Sequence, residues 1–168
     1  MTITNYKLPS FASARKALST EQYRQYLQGL RLVDITLEDM ACHANPEAIS
    51  SQPAGFSVTV SRSFKCQEIE SSQPALLLQY TVQGYQEEAK VLEIKATYRL
   101  HLEADAVMPV EFFSIYCNVS ADMQVWPFLR EMANSITGRM GVPRLALPLL
   151  LDPQSLNKPR RSPPPTGV

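Results

Sequence analysis

The sequence predicts an α+β domain: a four-stranded antiparallel sheet with a main helix packed on one face, an extra short N-terminal helix, and a disordered proline-rich C-terminal tail. Two changes of pattern predict it. Apolar and polar residues alternate in several stretches before Asp105, and beyond Pro127 the apolar residues recur every three or four positions. At 168 residues the chain has the size of one domain, divided as an extension over 1–29, a main domain over 30–152 and a tail over 153–168.

Residues 19–29, "STEQYRQYLQG", begin with a Ser-Thr cap and Glu21, then set Tyr23, Tyr26 and Leu27 on one helical face before Gly29. "LRLVDITLED" places Val33, Ile35 and Leu37 opposite Asp34, Thr36 and Glu38, the period of a half-buried strand. A polar loop with prolines follows. Next, "FSVTVSRSFKCQEI" alternates Phe56, Val58 and Val60 with serine and threonine, and Phe64 and Cys66 continue the face. "PALLLQYTVQGY" and "EAKVLEIKATYRLHLEA" are parted by a Gly-Tyr-Gln-Glu turn. The second of these sets Leu92, Ile94, Ala96, Tyr98, Leu100 and Leu102 against Glu93, Lys95, Thr97, Arg99 and His101. Neighbouring strands with a short connection and one polar face make an antiparallel sheet with one side in water.

"VEFFSIYCNVSAD" is a short apolar piece whose period decides neither helix nor strand. The main helix starts at Pro127, whose missing N–H suits a first turn, and carries Leu129, Met132, Ala133, Ile136 and Met140 on its apolar stripe. Gly141 to Pro143 stops it. The apolar run beyond, broken by Pro143 and Pro148, is neither helix nor ordinary strand, so Val142, Leu145, Leu147 and Leu149 cannot all face one way along a regular element. At ~25 cal/mol per Å² buried, a few such side chains supply several kcal/mol of association if another chain covers them. Closure of the chain's own core is the competing reading.

Composition narrows the function. Sixteen acidic and sixteen basic residues leave no bulk field to attract nucleic acid or anionic lipid. The first residues lack the pattern of a signal peptide, and no run is long enough for a membrane helix, so a cytoplasmic protein without membrane insertion is expected. Cys42, Cys66 and Cys117 stand apart with no CxxC pair and read as reduced thiols, neither a disulfide framework nor a metal site. Catalytic candidates are thin. His43 lies in a polar loop and His101 on the wet face of a strand; Glu87–Glu88 and the Asp34/Glu38/Asp39 group read as solvated charge, and Asp122 as a residue capping or preceding the helix. No enzyme, cofactor or metal is expected. The basic tail with Lys158, Arg160 and Arg161 reads as a solubilising end.

"VWPFLREMANSITGRMGVPRLALPLL" resembles the helix-and-crossover signature of the SecB protein-export chaperone family, a Pro-Tyr-Ala-Arg-Glu helix running into Arg-Gly-x-x-Pro and an apolar loop. Pro127, Phe128, Arg130 and Glu131 match the first part; Arg139, Gly141, Pro143, Leu145 and Leu147 match the second. "VDITLED" is similar to that family's first strand through Asp34, Ile35, Leu37 and Glu38. The resemblance implies an ATP-independent holdase that binds unfolded polypeptides in apolar grooves, assembled as a dimer or tetramer. It divides Leu129, Met132, Ala133, Ile136 and Met140 between core and oligomer contact, and makes Val142, Leu145, Leu147 and Leu149 the client-binding candidates. The docking partner it implies is the translocase ATPase in protein export or, for relatives dedicated to toxin–antitoxin systems, an antitoxin. The family docks the translocase on an acidic sheet surface, whereas this chain is neutral. A small apolar-ligand or lipid-binding protein with one helix on a sheet is a further alternative, but a hot-dog fold puts its helix after the first strand and a helix-grip domain has more strands.

Overall fold

The computed structural model describes residues 5–49 and 56–149. After the short strand β1 (Asn5–Tyr6) come helices α1 (Phe11–Ala17) and α2 (Thr20–Gln28), strands β2 (Leu30–Ala44), β3 (Phe56–Gln67), β4 (Ala75–Gln86) and β5 (Ala89–Ala104), then helix α3 (Val110–Tyr116) and helix α4 (Asp122–Arg139). The four long strands form the expected antiparallel sheet, and β1 adds two residues at one edge, giving the order β1-β3-β4-β5-β2. The proline-rich tail over 153–168 lies outside the described residues.

β5 shows why the sheet has two characters. Its inward residues from Leu92 to Ala104 are buried at every second position, and the residues between them face out. Register then assembles apolar rows across the sheet, such as Val60–Val82–Ile94–Cys42 and Phe64–Leu78–Tyr98–Leu37. β2 reaches further than its sequence pattern suggests because irregularities between Leu32 and Asp34 and between Leu37 and Asp39 each reset the alternation. Leu32, Ile35, Leu37, Met40 and Cys42 thereby share the inner face, and the simple Val33–Ile35–Leu37 period is corrected.

The turn between β4 and β5 also moves. It consists of Glu87 and Glu88, with Glu87 in the left-handed region at φ 57°, while Gly84 lies within β4. Gly84 serves the core: a Cβ there would stand 2.8 Å from the Phe56 ring and 3.1 Å from Leu92 Cβ.

α2 begins where the sequence places it, with Ser19 and Gln22 closing a reciprocal capping box. Tyr23 and Tyr26 pack on Phe112 of α3, with ring centroids 5.2 and 5.8 Å away, and α1 rests on α3 as well. The undecided stretch before the main helix is α3, followed by a π-helical turn over Cys117–Ala121 that runs directly into α4. The main helix therefore starts at Asp122 instead of Pro127, and Pro127 stands inside it. Continuity with the preceding helical turns removes the need for a fresh first turn at the proline.

Candidate functional site

α4 lies over the inner face of the sheet. Val125, Leu129, Ala133 and Thr137 are fully enclosed and Trp126 nearly so. Its C-terminal end reaches the edge strand, where Met140 Sδ is 3.1 Å from Cys42 Sγ. Phe128, Met132, Ile136 and Met140 follow at i+4 spacing along one flank of the helix. Phe128 is exposed, and the other three are half-buried. On β2, Leu37 and Met40 carry inner-face side chains that are 46% and 40% exposed. Large apolar residues thus remain uncovered on both the sheet edge and the helix flank. Of the residues expected at an oligomer contact, Leu129 and Ala133 belong to the chain's own core, and Met132, Ile136 and Met140 present surface.

The crossover after α4 is held by side chains. Thr137 Oγ1 donates to Ala133 O at 2.7 Å and accepts from Leu145 N at 2.9 Å. Arg130 Nε donates to Leu147 O at 2.7 Å, and Trp126 Nε1 donates to Pro148 O at 2.8 Å. The chain is drawn back along the helix it has just left. Val142, Leu145 and Leu147 are consequently buried against their own chain, whereas Leu149 is 65% exposed. Among the four expected client contacts, only Leu149 stands at the surface; the other three face inward because the segment's amides and carbonyls are satisfied by α4.

A charged group lies where the β3 alternation reads as apolar. Arg62 shares the inner face with Val60 and Phe64 and pairs through Nε with Asp122 Oδ2 at 2.8 Å, with side chains only 6% and 0% exposed. Tyr80 donates to Asp122 Oδ1 at 2.6 Å, and Arg62 donates to Cys117 O at 3.3 Å and Asn118 Oδ1 at 3.2 Å. Asp122 is therefore no surface cap; it fastens the first turn of α4 to β3 and β4. Burial pushes its carboxyl from 3.8 up to about 6, against the opposing pull of Arg62 and the Tyr80 hydroxyl. A carboxyl raised by folding is penalised once ionised. Its contribution to stability is full at pH 4 and falls as pH rises toward 6. Urea titrations at pH 4, 5, 6 and 7 are expected to show wild type losing stability relative to Asp122→Asn across that window; a constant difference would overturn the assignment.

The outer face of the sheet is self-neutralised. Glu103 pairs with Arg31, Glu38 with Arg99, and Glu93 with both Lys90 and Lys95. Hydrogen bonds from Gln83, Lys90 and Lys95 hold the Glu93 carboxyl down at about 2. His101 sits half-buried on this face with Nε2 3.1 Å from Thr36 Oγ1, and His43 is exposed near the end of β2. Glu87 and Glu88 form the exposed hairpin turn. All three cysteines are free; Cys66 and Cys117 are buried, and Cys42 is half-buried. Among the described residues no group of His, Cys, Asp and Glu gathers as a metal site.

No family model and no curated protein matches the sequence. The three-dimensional arrangement does find a counterpart: the SecB-like chaperone Rv1957 of Mycobacterium tuberculosis, solved in complex with a ChAD peptide from the HigA1 antitoxin Rv1956. The TM-score is 0.62 at 15% identity over 77% of this chain and 96% of that one. The chain has a SecB-like fold. Because the counterpart is covered almost completely, the unmatched residues belong chiefly to this chain. No helix among the described residues is long and apolar enough to cross a membrane.

Proposed function

We propose that this chain is a SecB-like chaperone that holds non-native polypeptide without ATP or any other cofactor, and that it performs no catalysis. The observation carrying this reading is the uncovered apolar surface of Leu37, Met40 and Phe128 on the fold of a chaperone solved with a bound peptide. Leu37 and Met40 on the sheet edge, joined by Leu149 from the crossover, are the client contacts in this reading. Phe128, Met132, Ile136 and Met140 meet a second copy in a dimer or tetramer. Val142, Leu145 and Leu147 shape the surface from beneath.

Of the two settings for such a chaperone, the dedicated toxin–antitoxin role is the better supported. Glu38, Glu93 and Glu103 on the outer face are each held by arginine or lysine, which leaves little free negative charge for docking a translocase ATPase in export. A cytoplasmic location fits either setting. The test is light scattering from a chemically unfolded client diluted with the protein in the absence of ATP. Wild type is expected to suppress aggregation, and Leu37→Asp and Met40→Asp to weaken suppression severalfold while shifting stability by less than about 1 kcal/mol, as exposed positions do. A wild-type protein that leaves aggregation unchanged refutes the holdase. Protection of an antitoxin encoded nearby, without rescue of a SecB-deficient export strain, is the outcome expected for the dedicated role; rescue of export alone reverses that choice.

A further inference from the structure

The N-terminal helices build a second concave surface, away from the sheet edge and the α4 flank. A cleft of about 450 Å³ opens between α1 and α2 on one side and the α3–α4 rod on the other. That volume lies within the ~300–1,000 Å³ of typical ligand clefts. Its walls are apolar: Phe11, Leu18 and Tyr23 face Ile115 and Val119. Val119 is 40% exposed, and Met123, one helical step further along the same row, is 59% exposed, so the apolar surface continues out of the cleft along the rod. The remaining decisive group is Arg15, the one charged residue lining the cleft, with its guanidinium carbon 5.8 Å from the centre of the Phe11 ring. Arg15 has no ion pair among the described residues, and Lys16 follows it in the last turn of α1. Stacking on Phe11 holds the cation at the apolar wall, where a carboxylate is its natural complement.

We propose that this cleft docks a short polypeptide segment in which a bulky aliphatic side chain stands beside a carboxylate, the aliphatic group between Leu18 and Val119 and the carboxylate on Arg15. The chain's own tail is a poor occupant, because Lys158, Arg160 and Arg161 would bring like charge to Arg15 and Lys16. The cleft is open to solvent at Val119, which suits a segment of a longer chain better than an enclosed lipid. Selectivity of this kind is what a chaperone committed to one partner needs beyond a general apolar surface. The inference deepens the holdase reading but is tested apart from it, since it concerns binding of a folded-state ligand at another place.

The probe is a fluorescein-labelled peptide, Ser-Leu-Glu-Leu-Leu-Asp-Ser, titrated with the full chain and followed by anisotropy. Saturable binding is expected, with a loss of about tenfold or more when both acids of the peptide are replaced by lysine. Arg15→Glu and Val119→Asp should each cause a comparable loss, Arg15→Lys should keep most of the affinity, and Leu37→Asp should leave it unchanged. Circular dichroism on each variant checks that the helices remain. Absence of saturable binding to wild type overturns the proposal. So does binding that Leu37→Asp abolishes while Arg15→Glu does not, which would assign the peptide to the sheet edge. Full displacement of the peptide by dodecanoate at submillimolar concentration would overturn it in favour of an apolar acid. Failure here with intact aggregation suppression leaves the holdase standing; suppression lost with this peptide still bound separates the two in the other direction.

Discussion

Arg62→Ala is expected to lower the unfolding free energy by about 3–5 kcal/mol, the cost of leaving a buried charge without its partner. Asp122 would then sit fully enclosed, with Tyr80 its remaining hydrogen-bond donor among the contacts described above. Asp122→Ala strands Arg62 in the same way. The pair itself is worth much less than either deletion suggests, because two desolvation costs offset most of its attraction. The double variant Arg62→Met, Asp122→Leu should therefore recover most of the loss, and urea unfolding of the two single variants and the double closes the cycle. Single changes costing less than about 1 kcal/mol would mean that water reaches the pair and that β3 and α4 are not locked here.

The second large effect concerns the crossover. Leu147 is 1% exposed, and Leu147→Ala is expected to cost ~2–5 kcal/mol through lost burial and the cavity left behind. Leu149→Ala, on the exposed neighbour, should change stability by no more than about 0.5 kcal/mol. Thermal or urea unfolding of the two variants measures the contrast directly. Aspartate at Leu145 or Leu147 should then damage folding and client holding together, whereas aspartate at Leu149 should touch holding alone. A stable Leu147→Ala protein would mean that the segment lifts readily from α4 and that its leucines are available to a client after all.

How far the sequence could be read depended on whether a feature was local. The β5 alternation, the Ser19 cap and the stop at Gly141 are decided by residues within a few positions of one another, and each is legible as it stands. β2 was legible in kind but not in phase, since its two irregularities are set by pairing with β5, far along the chain. Arg62 left a trace, a charge standing in phase with Val58, Val60 and Phe64, but its partner Asp122 is distant in sequence and looks like an ordinary helix-start residue. The crossover misled for the opposite reason. Its leucines and prolines suggest a surface kept for others, and nothing local reveals that Thr137, Arg130 and Trp126 bind its backbone inward. The N-terminal cleft was half visible: the second helix is written in its cap and tyrosines, but α1 and its Arg15 have meaning only once α3 lies beside them.

The π-helical turn at Cys117–Ala121 makes the chain intolerant of a change in length at that place. A helix advances ~100° per residue, so removing one residue from the turn to give a regular helix would rotate everything beyond it by about that angle relative to Phe112 and Tyr116. Asp122 would swing away from Arg62, and the Leu129–Ala133 stripe would leave the sheet. Substitutions can accumulate along this rod provided its residue count is preserved, whereas a single-codon deletion there would disengage the whole second half of the helix from the domain.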